Sequence, residues 1–496
     1  MSISFSYTPY LKVNTGALVF PVFEDQLLDW EELRKLDQAT GGIIKELIQA
    51  GEVKGKLSES CYLHRPAGLT ATRLLLLGVG KRSEWDCAVL RKTAGAAWRF
   101  LDRHGVTKAA FHMVPAGSSG LSCQVIAEGF LGASFESDSH KTEDRTTGKL
   151  ETVEVLVPAD IAASEVEEML ARGRLIGECL NFARHLINEP GNRMPPAELA
   201  AQAEQMAKTC GLKCTIIDRE EMTRRGMGGI LGVNQGSEQE PKLIVLEYEP
   251  EGEPDSGGLI ALVGKGVTFD SGGISIKTAE GMEEMKADMA GGAVVIAAMR
   301  AIAGLRPRAR VLGVVPAVEN MPSGRSMRPG DVIKLLNGRT VEVVNTDAEG
   351  RLILADGLIY AIERGAGLII DAATLTGACK VALGTVYAGL FSSDEGLAQK
   401  LLQLRPITGE KIWRLPLDPE YKKPIQSDIA DIKNTGNRWG GASYAAIFLQ
   451  YMVGGIPWAH LDIAGVDWIT DSQAHIAKGP TGFGFRTLLE FVLQRG

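Results

Sequence analysis

Cysteine is scarce in this chain, with seven residues among 496, and none of them forms a Cys-x-x-Cys pair. The number is odd and the positions are scattered, which is typical of reduced thiols in a cytosolic protein and argues against a disulfide framework. Cys210 and Cys214 lie near each other, but no partner pair of Cys or His residues accompanies them. A zinc site built on thiolates is therefore not expected.

Three further features are missing. The formal net charge is −8, so the chain lacks the basic excess that favours nucleic acid binding, although an acidic protein can still carry a local basic patch. No stretch reaches the ~20 consecutive apolar residues that span a bilayer. The first residues show no charged segment followed by an apolar run, as a secretory signal would. We therefore expect a cytoplasmic protein without a membrane partner, and nucleic acid is disfavoured as a partner.

A chain of 496 residues is too long for one core and should divide into two or three domains. In the first third, an apolar strand at 73–78 precedes a helical pattern at 86–101 and a second strand at 109–114. This βαβ order predicts a small α/β domain over residues 1–155. The polar stretch 137–152 is expected to be an exposed loop near the end of that domain.

The second part of the chain, residues 160–496, begins with a long predicted linker helix over 163–186. Proline residues follow that helix and forbid its continuation, and Pro195 and Pro196 suit the first positions of the next helix, 197–209.

Short, continuously apolar runs then predict buried strands, with helical segments between them. Such runs are typical of strands covered on both faces, so the predicted fold is a larger α/β domain with a central, mostly parallel sheet. The ligand site of such a domain is expected at the carboxyl ends of the strands. The predicted strands are 259–263, 311–315 and 368–371, and the predicted helices are 290–302 and 352–362.

Charged residues follow the predicted strands. Lys265 and Asp270 lie in a Gly-rich run after the strand 259–263, Lys277 lies seven residues beyond Asp270, and Asp288 precedes a predicted helix. The run does not have the spacing of a phosphate-binding loop or of a dinucleotide-binding fingerprint. Each residue also has an ordinary alternative role: an Asx-type turn for Asp270, a helix N-cap for Asp288 and a solvated surface amine for Lys277.

Asp347 and Glu349 come shortly after the predicted strand 341–344. If the chain is still extended there, the i, i+2 spacing directs both carboxylates to the same side. Two like charges on one side repel each other, so such a pair requires a cation or a proton. Taken alone, Asp-x-Glu before Gly is more typical of a turn or a helix start.

Considered together, these four carboxylates predict a metal site. A cluster of oxygen ligands without His or Cys favours Mg²⁺, Mn²⁺ or Zn²⁺, and four carboxylates can neutralise two such ions. Two ions about 3.5–4 Å apart are used by aminopeptidases, phosphatases and nucleases alike. The spacing of the residues does not choose among these three reactions.

Longer motifs make that choice by resemblance. The octapeptide 345–352, NTDAEGRL, is identical to the hallmark sequence of the leucyl aminopeptidase family. The segments 263–277 and 285–289 resemble the family's other two metal-binding segments, and the likeness covers most of residues 160–496 in the same order. The resemblance implies a hydrolase that removes N-terminal amino acids, with a macro-like α/β domain before the larger catalytic α/β domain.

The resemblance also implies a set of metal ligands. The residues that would hold two divalent ions per subunit, Mn²⁺ or Zn²⁺, are Lys265, Asp270, Asp288, Asp347 and Glu349. Asp270 and Glu349 would bridge both ions, Asp347 would complete one, and Lys265 with Asp288 would complete the other. Lysine is an unusual ligand because its amine must lose a proton, which the adjacent metal charge favours.

Further roles follow from the same resemblance. Lys277 and Arg351 are the implied catalytic residues: Lys277 would donate to the developing oxyanion, and Arg351 would hold a bicarbonate ion that carries the proton. The first side chain of the substrate would contact Met285, Thr374 and Leu375, which suits Leu or Met. The implied substrates are short peptides, and the implied assembly is a homohexamer.

Two other functions stay open beside this interpretation. The same carboxylate cluster would serve a phosphoesterase, and some bacterial members of the family bind nucleic acid, although the acidic balance does not support that role here. His460, in the segment 458–465, is interpreted as structural, because the implied metal ligands are complete without it.

Overall fold

The computed structural model describes residues 1–146 and 148–495. They form two compact units: the first comprises Met1–Asn181 and Thr470–Lys478, and the second begins at Phe182 and contains the rest. Both units mix helices with a sheet, so the predicted α/β class is confirmed. Thr147, in the predicted loop 137–152, and Gly496 lie outside the described residues. The predicted domain boundary between residues 155 and 160 stays a prediction.

The first unit contains the described strands β1–β6 and helices α1–α4. The strands are Ser2–Ser6, Ala17–Val22, Ser60–His64, Arg73–Gly78, Lys108–His112 and Thr152–Leu156, and the helices are Glu31–Ala39, Ile43–Gln49, Cys87–Arg103 and Ser119–Ala133. The strand order is β1-β6-β5-β2-β4-β3, and of these described strands β3 alone runs antiparallel to its neighbour.

The elements of the first unit form where the apolar pattern predicts them. Leu74 to Leu77 of β4 are all buried, so this strand is covered on both faces. Helix α3 begins after Asp86, whose Oδ1 accepts a hydrogen bond of 2.9 Å from the backbone N–H of Val89 and thereby caps the helix. The predicted elements 73–78, 86–101 and 109–114 are thus confirmed, with ends that differ by two residues or fewer.

The long helix α5 spans Ala163–Asn188, and the described elements after it belong mainly to the second unit. Helices α6–α15 are Pro196–Cys210, Arg219–Arg225, Gly228–Val233, Ala290–Leu305, Gly350–Glu363, Gly377–Leu383, Glu395–Gln403, Arg405–Thr408, Gly441–Val453 and Phe485–Leu493. Strands β7–β20 are Lys213–Ile217, Lys242–Tyr248, Leu259–Gly264, Gly266–Asp270, Arg310–Asn320, Val332–Lys334, Thr340–Glu342, Ala366–Ala373, Ala388–Ser392, Ile412–Arg414, Ile432–Lys433, Trp458–Asp462, Trp468–Ile469 and Gly479–Pro480.

The main sheet of the second unit has the order β16-β15-β18-β14-β9-β11-β8-β7, with β10 paired to β11. Strands β18, β14, β9 and β11 run parallel to one another, so the predicted, mostly parallel centre is confirmed. Helices α9 and α10 both pack on β9, whose residues Ile260 to Val263 are buried. Because parallel neighbours share a direction, the carboxyl ends of these central strands meet at one edge of the sheet.

Helix α9 approaches this edge closely. A Cβ added to Gly291, in its first turn, would lie 2.0 Å from the carbonyl oxygen of Ala372 in β14. Only glycine permits that approach, which holds the start of α9 against the ends of the strands. The segment Met282–Leu305 is long and apolar enough to cross a membrane, but 78% of its apolar window is buried inside the fold, as in the core helix of a globular protein.

Two local possibilities that the sequence left open near the predicted site are not found in the structure. Strand β13 ends at Glu342, and Glu349 has helical backbone angles directly before α10, so the chain between Asp347 and Glu349 is a turn rather than an extended strand. Asn434 explains the early end, because its Oδ1 accepts hydrogen bonds from the backbone N–H groups of residues 344 and 345. Asp288 is also not a helix cap, since Met289 occupies the cap position of α9 and makes no side-chain capping bond.

Candidate metal centre

A cavity of about 250 Å³ lies at the carboxyl edge of the central strands. The segments that carry the predicted site residues line it together. They are the ends of β9 and β10, the turns before α9 and α10, and the loop after β14. Its lining includes nine of the ten predicted site residues, namely Lys265, Asp270, Lys277, Met285, Asp288, Asp347, Glu349, Thr374 and Leu375. Arg351 is the tenth and lies outside the described lining.

Lys265 lies at the deep side of this cluster. Its ammonium nitrogen lies 2.7 Å from Asp288 Oδ1 and 2.8 Å from Glu349 Oε1, and it donates a third hydrogen bond of 3.0 Å to the carbonyl oxygen of Thr374. Only 3% of the Lys265 side chain is exposed. The position follows from the sheet, because Lys265 continues β9 and its backbone N–H donates to Ala372 of the neighbouring β14.

Lys277 occupies the more open side of the cluster. Its Nζ lies 2.8 Å from Asp270 Oδ2 and also pairs with Asp347. A quarter of its side chain is exposed, whereas Lys265 is enclosed. The surface-amine alternative for Lys277 and the helix-cap alternative for Asp288 are therefore both replaced by contacts within one charged cluster.

The residues fit a metal site. Asp270, Asp347 and Glu349 each offer an oxygen, and these oxygens lie within 4.8 Å of one another. Asp288 Oδ2 is buried and has no hydrogen-bond partner among the described residues, so it retains a free lone pair. The four carboxylates of this cluster outnumber its two ammonium groups, those of Lys265 and Lys277. Bound divalent cations would compensate the excess of buried negative charge.

Hydrogen bonds that the sequence did not predict hold these carboxylates in place. Asn320, at the end of β11, donates through Nδ2 to Asp270 Oδ1 at 2.8 Å and to the carbonyl oxygen of Thr346 at 3.0 Å. Thr374 Oγ1 donates to Asp288 Oδ1 at 2.7 Å, so this residue supports the cluster as well as lining the cavity. The Asx-type bond predicted for Asp270 exists, from Gly272 N–H to Oδ1 at 2.9 Å, and accompanies the cluster rather than replacing it.

The local charges shift the ionisation of the cluster. Burial and the neighbouring Glu349 raise the pKa of Asp270 to about 6. Burial also raises the pKa of Asp288 well above its usual range. Burial acts to raise the pKa of Glu349 too, but Lys265 and Lys277 outweigh it, so the pKa of Glu349 is lowered. Protons thus compete for some of these carboxylates when no cation balances them.

Arg351 lies in the first turn of α10 and is buried, with 6% of its surface exposed. Its Nη1 donates to the carbonyl oxygen of Asn434 at 2.8 Å, whereas its Nε has no hydrogen-bond partner among the described residues. Burial lowers its pKa to about 10, and nearby carboxylates including Glu349 and Asp462 oppose this shift. The structure therefore keeps a buried cation with an unused donor near Glu349 and Asp462.

The lining of the cavity is partly apolar. Met285, Leu375 and Ala464 belong to it, together with the polar residues Lys380 and Asp467. The sequence pattern did not indicate Lys380 or Asp467, because single charges in loops give no periodic signal. His460 is not among the described lining residues: it is buried in β18, and its Nδ1 lies 2.5 Å from Asp371 Oδ1.

Comparison with known proteins identifies the family. The description "Cytosol aminopeptidase family, catalytic domain" matches residues 181–489, and "Cytosol aminopeptidase family, N-terminal domain" matches residues 19–144. A probable cytosol aminopeptidase of Koribacter versatilis is 45% identical over 516 residues, and the match covers 100% of both chains. A relative of the same description from Solibacter usitatus is 45% identical over 494 residues, which cover 100% of this chain and 99% of the relative.

Solved structures agree with this assignment. A mutant of tomato leucine aminopeptidase matches with a TM-score of 0.90 and 33% identity, over 100% of this chain and 96% of that one. The bottromycin maturation enzyme BotP, solved in complex with Mn, matches with a TM-score of 0.84 and 32% identity, over 97% and 99% of the two chains. The predicted family is confirmed: this chain belongs to the cytosol aminopeptidase family, which consists of metal-dependent aminopeptidases.

Proposed function

We propose that this chain is a two-metal exopeptidase that releases the N-terminal amino acid of short peptides. The observation that carries the proposal is the convergence of four carboxylates and two lysines on one cavity of a cytosol aminopeptidase fold. The excess of carboxylates over ammonium groups supports two divalent ions, and oxygen ligands with one amine suit Mn²⁺ or Zn²⁺.

The contacts of the cluster support a division of the ligands. Asp270 and Glu349 would hold both ions, Asp347 would complete one, and Lys265 with Asp288 would complete the other. Asp288 offers an unpaired Oδ2 for this purpose. Lys265 would bind as a neutral amine, which requires that it give up the proton it now shares with Asp288 and Glu349.

When bound, the two ions would supply activation of a water molecule and polarisation of the scissile carbonyl group. The residues of the chain would supply the rest. The ammonium group of Lys277, on the open side of the cluster, would donate to the oxygen that becomes negative during attack. Arg351, with its unused Nε donor, would hold a small anion, bicarbonate in our proposal, that accepts and returns the proton.

The apolar wall suggests the side chain that the enzyme accepts. Met285 and Leu375 lie beside the charged cluster and would contact the first side chain of the substrate, together with the methyl group of Thr374. A methionine wall adapts to flexible apolar groups, so we propose Leu and Met as preferred N-terminal residues. We further propose a cytoplasmic homohexamer in which residues 1–155 form a macro-like domain and residues 160–496 the catalytic domain.

A direct assay separates this function from the phosphoesterase alternative. The protein, loaded with Mn²⁺ or Zn²⁺, is expected to hydrolyse Leu-p-nitroanilide and to leave p-nitrophenyl phosphate intact. Metal analysis of the purified protein identifies the ion, and light scattering determines the number of subunits. Hydrolysis of the phosphate ester without hydrolysis of the anilide would contradict the proposal.

Lys277→Ala tests the role of the open lysine. Removing one donor to a developing oxyanion lowers kcat by about 10²–10³-fold, and we expect a loss of that order. Metal content should stay at the wild-type level, because Lys277 pairs with carboxylates and is not a ligand in the proposal. Lys208→Ala, which removes an exposed lysine of α6, is the control and should leave kcat unchanged. Full turnover of Lys277→Ala would refute the assignment.

A further inference from the structure

Asp467 is a carboxylate in the cavity wall that the proposed reaction does not use. Its backbone is fixed, since its N–H donates to the carbonyl oxygen of Ile463 at 3.1 Å and its own carbonyl accepts from Thr481 at 2.8 Å. Its side chain lines the same cavity as the metal cluster and lies three residues beyond Ala464, which belongs to the apolar wall. The backbone of Asp467 is therefore fixed in the wall of the cavity that would bind the substrate in the proposed function.

The carboxylate of Asp467 is not neutralised. No side chain of the described residues forms an ion pair or a hydrogen bond with it, although Lys380 lines the same cavity. Burial raises the pKa of Asp467 to about 7, against the opposing effects of a backbone hydrogen bond and of Lys380, and the carboxylates of Glu284 and Asp462 contribute to the rise. A partly buried carboxylate that no side chain pairs with is costly, and a cation that enters the cavity would offset that cost.

The other residues of the cavity wall suit a cation that has an apolar stem. Met285, Leu375 and Ala464 provide apolar contact, and Asp467 provides a negative charge in the same cavity. Lysine and arginine side chains have this composition, with an apolar stem and a charged head. Methionine has a similar unbranched stem but no charge, so the same wall serves both kinds of residue.

We infer that Asp467 is a specificity-determining residue that makes peptides with N-terminal Lys or Arg good substrates, alongside the Leu and Met peptides of the proposed function on which this inference rests. The apolar wall holds the stem of the side chain, and the Asp467 carboxylate receives its ammonium or guanidinium head. Two other charged residues line this cavity: the Glu284 carboxylate attracts the same charged head, and the Lys380 ammonium group repels it.

The test compares two substrates of matched length, Lys-p-nitroanilide and Met-p-nitroanilide, with the metal-loaded full-length protein. In Asp467→Asn, the ratio of kcat/KM for Lys over Met should fall roughly tenfold or more, since a hydrogen bond between charged groups is lost. The value for Met should change by less than about threefold, because its neutral stem loses no charged partner. Lys380→Gln should raise the Lys/Met ratio, and Glu284→Gln should lower it less than Asp467→Asn.

The pH dependence of the Lys/Met ratio tests the charge of Asp467 directly, because a merely structural role of this residue would not produce it. In the wild type, the Lys/Met ratio should rise with pH through about 7 as Asp467 ionises, and in Asp467→Asn it should be flat. The wild-type profile keeps the inference testable even if the variant does not fold. A wild-type ratio that is independent of pH, a ratio unchanged in Asp467→Asn, or a preference for N-terminal Glu would overturn it. If neither anilide is cleaved with Mn²⁺ or Zn²⁺, the proposed function itself fails.

Discussion

The two lysines of the metal centre differ because of their surroundings rather than their sequence context. Lys265 is enclosed by Asp288, Glu349 and a backbone carbonyl, whereas Lys277 keeps a quarter of its side chain exposed. Both are lysines next to glycine-rich or polar stretches, and by residue type alone both would be surface amines. Only the family resemblance assigns them different roles, a metal ligand for Lys265 and an oxyanion donor for Lys277, and these roles stay predictions.

Supporting hydrogen bonds at single residues were the part of the site that sequence could not reveal. Asn320 donates hydrogen bonds to the Asp270 carboxylate and to the carbonyl oxygen of Thr346, although Asn320 and Thr346 are separated by 26 residues along the chain. Asparagine and threonine occur in many loops for their turn-forming properties, so their presence predicts no particular partner. Their role depends on the pairing of β10 with β11, which brings Asp270 beside Asn320.

Thr374→Val tests one of these supporting bonds. Valine keeps the shape of threonine but removes the 2.7 Å hydrogen bond to the Asp288 carboxylate, which then loses an orienting donor. Loss of a bond that orients a metal ligand typically lowers metal affinity 10–100-fold, and we expect about that effect on the Mn²⁺ concentration for half-maximal activity. Thr374→Ser retains the hydroxyl group and should restore most of the affinity. Equal affinities in the valine and serine variants would contradict this role.

At the scale of elements, strongly apolar segments were predicted well, and their ends were predicted to within a few residues. The predicted strand 259–263 and helix 290–302 were found as Leu259–Gly264 and Ala290–Leu305, because uninterrupted burial fixes an element wherever it packs. The strand expected at 341–344 ends at Glu342 instead. Asn434 decides this end through bonds to the backbone nearly 90 residues away, which no local pattern contains.

Helix α10, which follows Asp347 and Glu349, is anchored to neighbouring backbone segments by one buried carboxylate. Asp356 is fully buried, and its two oxygens accept hydrogen bonds from the backbone N–H groups of Ile230 at 3.0 Å and Leu336 at 2.9 Å. Burial raises its pKa to about 7, and these amide donors oppose that shift. The first turn of α8 and the loop after β12 are thus tied to the helix that presents the metal centre.

Asp356→Ala should show how much that fastening contributes. It leaves buried backbone donors without an acceptor and creates a small cavity, so we expect the protein to lose about 2–4 kcal/mol of stability. Thermal unfolding of the metal-free protein measures the effect without a contribution from bound ions. Asp331→Ala, which removes a partly exposed aspartate near β12, is the control and should cost less than about 1 kcal/mol. A similar loss in both variants would show that Asp356 does not anchor α10.

At the scale of the whole molecule, the fold class could be predicted from the sequence, but the assembly of the site could not. Alternating apolar strands and helices predicted α/β architecture, and the carboxyl edge was the expected site by a general rule of such sheets. The order of the strands, which places β14 and β11 on either side of β9, is a long-range property. It brings Lys265 to Glu349 across 84 positions of sequence, and the octapeptide 345–352 indicated that these residues share a site only by resemblance.

Removal of metal ions should therefore change the stability of the molecule as well as its activity. Without cations, four carboxylates share a buried place with two ammonium groups, and bound divalent ions relieve this repulsion in the folded state alone. At an ion concentration 100 times Kd, binding stabilises the folded state by about 2.7 kcal/mol per site. We expect a chelated sample to unfold at a lower temperature than one given Mn²⁺ or Zn²⁺, as measured by calorimetry. The variant Asp347→Asn with Glu349→Gln should lose most of the response, and an unchanged response in that variant would place the stabilising ions elsewhere in the chain.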